Sequence, residues 1–330
     1  MATRIITDSS VDFPEELLNE LNVTVVPLNL LFGEEEYKAG VDLDTQTFYQ
    51  KLKKSKELPK SSAPAPQDFL TKFEEASPED DILVIALSGA LSTTYDNAVL
   101  AKKMFHEEHP DRKIEVINSK TASSGLGIIV YHVAEMARDG ETFESIVEQA
   151  YEYTEDTLTM FLLDTLENVI KGGRLDRVRG TIASALNIKL LMKASDDDGS
   201  LEVLDKIRGN KRAVRQFIQK IGEYGHNFED KVIAVAHSNC EDKAKALIEQ
   251  IQERYKFKNV ILSTMGPRLL ALMLAKVAFL SHSRKINNHL GSAFCALFFW
   301  INLCLLILLI TQMSQKSISF ITIALNKLKI

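Results

Sequence analysis

The chain has 330 residues, with 45 acidic and 39 basic side chains and a formal net charge of −6. A quarter of the residues are charged, 45% are hydrophobic, and glycine and proline together number 23, which excludes disorder and collagen-like repeats. The length accommodates two domains with a core each, the acidic excess argues against nucleic-acid binding, and Cys240, Cys295 and Cys304 make neither a disulfide framework nor a metal-ligand pattern, as expected in a reducing cytoplasm.

The N-terminal MATRIITDSS lacks a charged region followed by an apolar run and does not read as a signal peptide. Residues 4–7 predict a short β-branched strand ending in Asp8-Ser9-Ser10, and Pro14 opens a helix to Leu21. Residues 23–32 are a β-rich apolar run interrupted by Pro27, which marks an edge or bulge. Residues 45–54 and 67–75 predict amphipathic helices on either side of a polar loop at 58–66. A continuous apolar strand at 81–87 leads through a Ser-rich segment into a helix from about 95 to 108, then a strand at 113–118. Helices at 125–138 and 142–155 flank Asp139-Gly140. Short apolar strands separated by helices predict a Rossmann-like α/β domain, a parallel sheet covered on both faces, over residues 1–155.

From residue 156 the pattern changes. A strand at 158–163 and a short helix at 166–170 precede the turn Lys171-Gly172-Gly173-Arg174. Strands at 187–194 and 200–207 predict a hairpin around Asp196-Asp197-Asp198-Gly199, which lacks the later Glu of a calcium loop. Helices at 210–223 and 241–255 enclose a strand at 231–236, and another strand starts at 260. These elements predict a smaller α+β domain over 156–267.

Asp8-Ser9-Ser10, the segment Leu87-Ser88 to Tyr95, and Ser119, Ser123 and Ser124 all follow sheet strands. Ligands bind at such carboxyl ends, and hydroxyls beside helix N-termini suit an anion. Each serine taken singly reads equally well as an N-cap. Ser61-Ser62-Ala63-Pro64 reads as a binding loop or a surface linker, and Arg174 as a carboxylate partner or a solvated turn residue. There is no G-x-S-x-G elbow, H-E-x-x-H or paired-Cys pattern. His237, beside Ser238 and Cys240, reads as a structural strand-end histidine or as part of a nucleophile pair.

In order along the chain, Thr7-Asp8-Ser9-Ser10, Val26-Pro27-Leu28, Ser61-Ser62-Ala63-Pro64, Leu87-Ser88, Leu91-Ser92-Thr93-Thr94-Tyr95 and Lys171-Gly172-Gly173-Arg174-Leu175 resemble the DegV family of bacterial fatty-acid-binding proteins, over residues 3–267. The resemblance implies that one long-chain fatty acid lies in an apolar tunnel between the two domains. Its carboxylate would be held by Ser61 and Ser92, with Ser62 and Thr94 nearby and Arg174 as a charge partner. Arg208, in the hairpin's second strand, matches an Arg often found there and joins the expected binding residues. It further implies a carrier that presents the carboxylate to a separate fatty-acid kinase and is not itself an enzyme, with no cofactor or metal. Ser61 stands where Thr is commoner, and Thr93 where Gly is usual. A serine hydrolase using Ser92 or Ser124, and a membrane-attached lipid sensor, are the competing readings.

The last acidic residue is Glu253. Residues 1–267 carry 32 basic and 45 acidic groups, a net of −13, whereas residues 268–330 carry seven basic groups and no acid. The resemblance implies a segment like V-I-G-T-H-x-G-x-G after Pro267. One set of codons for residues 269–279, read one base earlier, encodes V-I-G-T-H-A-G-E-G-G-I, so 268–330 reads as an atypical tail produced by a shift of reading frame. Within it, residues 293–311 have the length and hydropathy of a bilayer-spanning segment, an expectation of membrane contact that the frame-shift reading treats as non-native.

Overall fold

β1 (Thr3–Asp8) is the second strand of a four-stranded, all-parallel sheet. β2 (Thr24–Val26) lies on one side of it, and β6 (Asp81–Ala86) and β7 (Ile114–Asn118) on the other. The structure is a computed structural model that describes residues 2–55, 58–163, 178–179, 188–266 and 278–283. Arg174 with its glycine turn, the expected helix at 166–170 and the apolar run at 293–311 lie outside the described residues.

Alternation along the parallel strands sends side chains to two apolar layers. Ile5, Leu83 and Ile85 pack with α1 (Glu15–Glu20), α5 (Ser124–Arg138) and α6 (Phe143–Asp156). Ile6, Ile82 and Val84 pack with α3 (Pro66–Glu74) and α4 (Thr94–Glu108). Both faces are therefore covered, as the uninterrupted apolar strands predict. α6 starts where its N-cap Thr142 accepts the Ser145 amide at 3.2 Å.

The 23–32 run divides at Pro27, which has no N–H to give to a ladder. β2 pairs with β1, while β3 (Asn29–Phe32) enters a separate antiparallel sheet of order β4–β3–β5. Its partners are β4 (Glu35–Lys38) and β5 (Lys60–Ser62). Sequence periodicity gives neither partner: Glu-Glu-Tyr-Lys and Lys-Ser-Ser have no apolar alternation, and the expected polar loop at 58–66 holds a strand through its ladder to β3. α2 (Thr45–Lys54) connects the two, capped by Asp44, which accepts the Thr47 amide at 2.9 Å.

From Thr157 the chain builds a second, seven-stranded mixed sheet of order β13–β12–β14–β8–β10–β11–β9. These are β8 (Thr157–Leu163), β9 (Val178–Arg179), β10 (Ile188–Ala194), β11 (Leu201–Arg208), β12 (Val232–His237), β13 (Asn259–Thr264) and β14 (Ala278–Ser283). β10 and β11 form the expected hairpin. Leu158, Met160, Leu191 and Ile233 face α7 (Asn210–Tyr224) and α8 (Glu241–Tyr255). Phe161, Leu190 and Met192 face the other way, toward α2 and β3. The sheet takes in six residues of the tail segment: β14 pairs antiparallel with both β12 and β8.

Candidate functional site

The chain leaves β1 for β2 on one side and later returns to β6 on the other, so the carboxyl ends of β1 and β6 form a topological switch point. The hydroxyl-rich segments expected there do gather, but most of their polar atoms are bonded to the fold. The buried Asp8 carboxylate accepts the amides of Ser10 at 2.9 Å and Leu87 at 2.7 Å, bracing the two strand ends. Burial pushes its pKa up, opposed by those bonds. Ser9 Oγ accepts the Leu28 amide at 2.8 Å. Ser88 Oγ donates toward the Gly199 carbonyl at 3.2 Å, and Thr121 and Thr159 share a hydrogen bond of 2.7 Å, so both join the parallel sheet to the second one.

Ser61 and Ser92 differ from these. Ser61 lies directly opposite Leu30 in the β3–β5 ladder, so the two side chains share a face. Leu30 is fully buried in an apolar cluster, and Ser61 Oγ is buried with no hydrogen-bond partner. Ser92 follows Leu91, another member of that cluster. Its Oγ lies 2.8 Å from Thr94 Oγ1 and accepts the Thr94 amide at 3.3 Å where α4 begins. One turn later, Asn97 Nδ2 donates to the Pro64 carbonyl at 2.7 Å, tying α4 to the Ser61–Pro64 stretch. Ser62 is exposed at the end of β5. Ser61, Ser92 and Thr94 thus border one apolar cluster. A buried hydroxyl without a partner costs about 1–3 kcal/mol, which a polar ligand atom would remove.

The cluster combines Leu30, Phe48, Leu91, Phe161, Met192 and Met265, drawn from β3, α2, the loop before α4 and the second sheet. Tyr49 packs against it and bridges α2 to that sheet, its hydroxyl 3.1 Å from the Met265 carbonyl. Burial pushes its pKa up to about 12. Sequence reading missed Tyr49 and Asn97; nothing in their local pattern marks either, because both act on distant segments.

Arg208 lies directly opposite Ile188 of β10, which packs against this cluster. The hairpin turn touches Ser88 through Gly199, whereas Arg208 is exposed at the far end of β11. At about 3.3 Å per residue, it lies about 23 Å from Leu201. The nucleophile readings find no base among the described residues. Ser124 Oγ is buried and without a partner, and Ser92 bonds to Thr94. The imidazole of His237 accepts the Cys240 amide at 3.4 Å, and burial lowers its pKa. His237 and Cys240 instead line a separate cleft of about 1080 Å³ with Asp12, Tyr49 and Lys53. Among the described residues no group of His, Cys, Asp and Glu side chains is arranged to hold a metal ion.

A family model described as an uncharacterised protein of the DegV family matches residues 2–276. A DegV domain-containing protein of Clostridium acetobutylicum is 34% identical over 268 residues, 81% of this chain and 92% of the relative. The crystal structure of a DegV-family protein from Ruminococcus gnavus, described with vaccenic acid, is similar at a TM-score of 0.78 and 28% identity, covering 85% of this chain and 99% of that one. The fatty acid kinase B3 protein of Streptococcus pneumoniae, loaded with linoleic acid, aligns at a TM-score of 0.76 and 28% identity, covering 86% of this chain and all of that one.

Proposed function

The chain belongs to the DegV family, and from that premise we propose that it is a carrier that encloses one long-chain fatty acid and presents the carboxylate to a separate fatty-acid kinase. The observation that carries the reading is the Ser61 hydroxyl, buried and without a partner on a face shared with Leu30. A carboxylate there accepts from Ser61 and from the Ser92–Thr94 pair, while the acyl chain enters the apolar cluster. Each buried CH₂ contributes about 0.8 kcal/mol, so the chain supplies affinity and the hydroxyls supply orientation. Ser62 flanks this cradle, and Arg174 is assigned as its charge partner. Arg208 stays among the proposed binding residues, since its cross-strand neighbour Ile188 packs against the same cluster.

The acid lies between a unit of residues 1–155 and one of 156–267, in a protein we assign to the cytoplasm. Among the described residues neither Ser92 nor Ser124 has the base a hydrolase needs, which favours carriage over catalysis. Solved relatives align over 99–100% of their lengths with only 85–86% of this chain, which supports reading the rest of 268–330 as a non-native extension. Sequencing the gene tests that point: codons at 269–277 that do not spell V-I-G-T-H in the shifted frame remove it. The function itself is tested by organic extraction of the purified protein and mass spectrometry. About one long-chain fatty acid per chain is expected; an empty protein that turns over lipid esters overturns the carrier.

A further inference from the structure

We propose that the outer face of α3 and α4 docks a protein partner through a helix that is apolar along one side and basic along its margins. α4 is apolar beyond the face it buries. Ala98, Ala101 and Phe105 belong to the core, while Leu100 and Met104, one turn apart, are 48% and 38% exposed. A single exposed apolar side chain needs no explanation, but two at i, i+4 spacing form a strip. A groove of about 150 Å³ between the two helices continues it, with Leu70 and Met104 in its walls and His109 stacked on Phe105 at 4.4 Å. Its described acids are Glu74, Glu107 and Glu108, and its described lining includes no lysine or arginine. None of the three forms an ion pair among the described residues, whereas the adjacent Glu75 is paired with Lys72.

The position of Glu107 and Glu108 adds a second argument. Both stand in the last turn of α4, beside the negative end of its dipole, where a carboxylate destabilises the helix. In α2 the same turn holds Lys51, Lys53 and Lys54. A cation brought by a partner reverses that penalty, and apolar side chains cover the strip, as when an amphipathic helix lies in a groove. The same carboxylates repel an anionic bilayer, and a second copy about a two-fold axis would set glutamates against glutamates. A basic protein helix is the occupant that fits. Its seat is close to the hydroxyl cradle, because α3 begins just after Pro64 and α4 just after Ser92. Leu100 lies about 9 Å along the axis of α4 from Thr94.

The test is fluorescence anisotropy of labelled Leu/Lys and Leu/Glu amphipathic peptides of about eighteen residues, titrated with the full chain. The Leu/Lys peptide is expected to bind about tenfold or more tighter than the Leu/Glu peptide. Leu100→Ser/Met104→Ser and Glu74→Gln/Glu107→Gln/Glu108→Gln, at solvent-facing positions, are each expected to lose about tenfold in Leu/Lys affinity while keeping their circular dichroism. Glu249→Gln/Glu253→Gln removes acids from α8 instead and is expected to change that affinity by less than about twofold. No preference for the Leu/Lys peptide overturns the proposal, as do folded groove variants that keep the affinity. An equal loss in all three variants also overturns it, since it reports attraction to the net charge of the body. A dimer, or flotation with anionic vesicles, that Leu100→Ser/Met104→Ser abolishes gives the face to a second copy or to lipid and overturns the protein helix. A chain that binds the peptide through this face but yields no fatty acid on extraction supports the docking face and overturns the cargo reading alone.

Discussion

Ser61 and Asp8 show two opposite uses of a buried polar side chain. Asp8 spends both carboxylate oxygens on backbone amides, whereas the Ser61 hydroxyl is buried without a partner. Under the proposed function, Ser92→Ala removes a donor to a charged carboxylate, worth about 1.5–3 kcal/mol. Fatty-acid retention measured by extraction should fall by about tenfold or more; unchanged retention takes Ser92 out of the site. Asp8 makes a prediction about pH. Its folded pKa is raised above the ordinary 3.8, so the folded state holds its proton longer than the unfolded chain. Its contribution to stability is greatest below 3.8 and declines as the pH rises through that window. Asp8→Asn should flatten this slope in denaturant titrations, and lower stability by about 1–3 kcal/mol because its amide NH₂ meets a backbone N–H. In the sequence, Asp8-Ser9-Ser10 looks as much like an anion site as Ser61-Ser62. The difference lies in partners supplied by Leu28 and Leu87, far along the chain.

At the level of elements, helices with local signals were legible: Asp44 and Thr142 announce α2 and α6, and apolar spacing does the rest. β5 was not, because its three residues become a strand only by meeting β3. Two joints between elements can be tested. His132 of α5 stacks on Tyr153 of α6 at 4.7 Å. Burial lowers its pKa below 6.5, with Glu135 favouring the charge and Lys258 opposing it. The neutral ring is the folded form, so stability should be lost as the pH falls below 6.5 toward the folded value. His132→Phe should remove that acid-side loss, measured by thermal melts across pH. Gly199, at the β10–β11 turn, has φ +75°, and a Cβ there would come within 2.3 Å of the Lys120 carbonyl. Gly199→Ala should cost about 1–3 kcal/mol by strain and displacement. Because that turn bonds to Ser88, fatty-acid retention should fall with it.

Over the whole molecule, the proposed fatty acid, held between the two sheets, would act as part of the core. Removing it should lower the melting temperature, and adding a long-chain acid at a hundredfold excess over its Kd should restore about 2.7 kcal/mol. An unchanged melt would count against enclosure. The two-part α/β plan was legible from strand and helix alternation, and the change of charge near Pro267 from composition. The topology of the second sheet was not, since one of its interior strands comes from a segment with no body-like composition. β14 lies between β8 and β12, although over a hundred residues separate it from β8 in the chain. That placement gives assembly a direction in time. The parallel sheet, complete by Asp156, can form on the ribosome as soon as it emerges. The second sheet stays in two pieces until residue 283 is made, roughly ten seconds later at ordinary synthesis rates. Once His237 has also emerged, and until residue 283 follows, the nascent chain shows the open strand edges of both β8 and β12 to any chaperone or neighbouring chain able to pair with them.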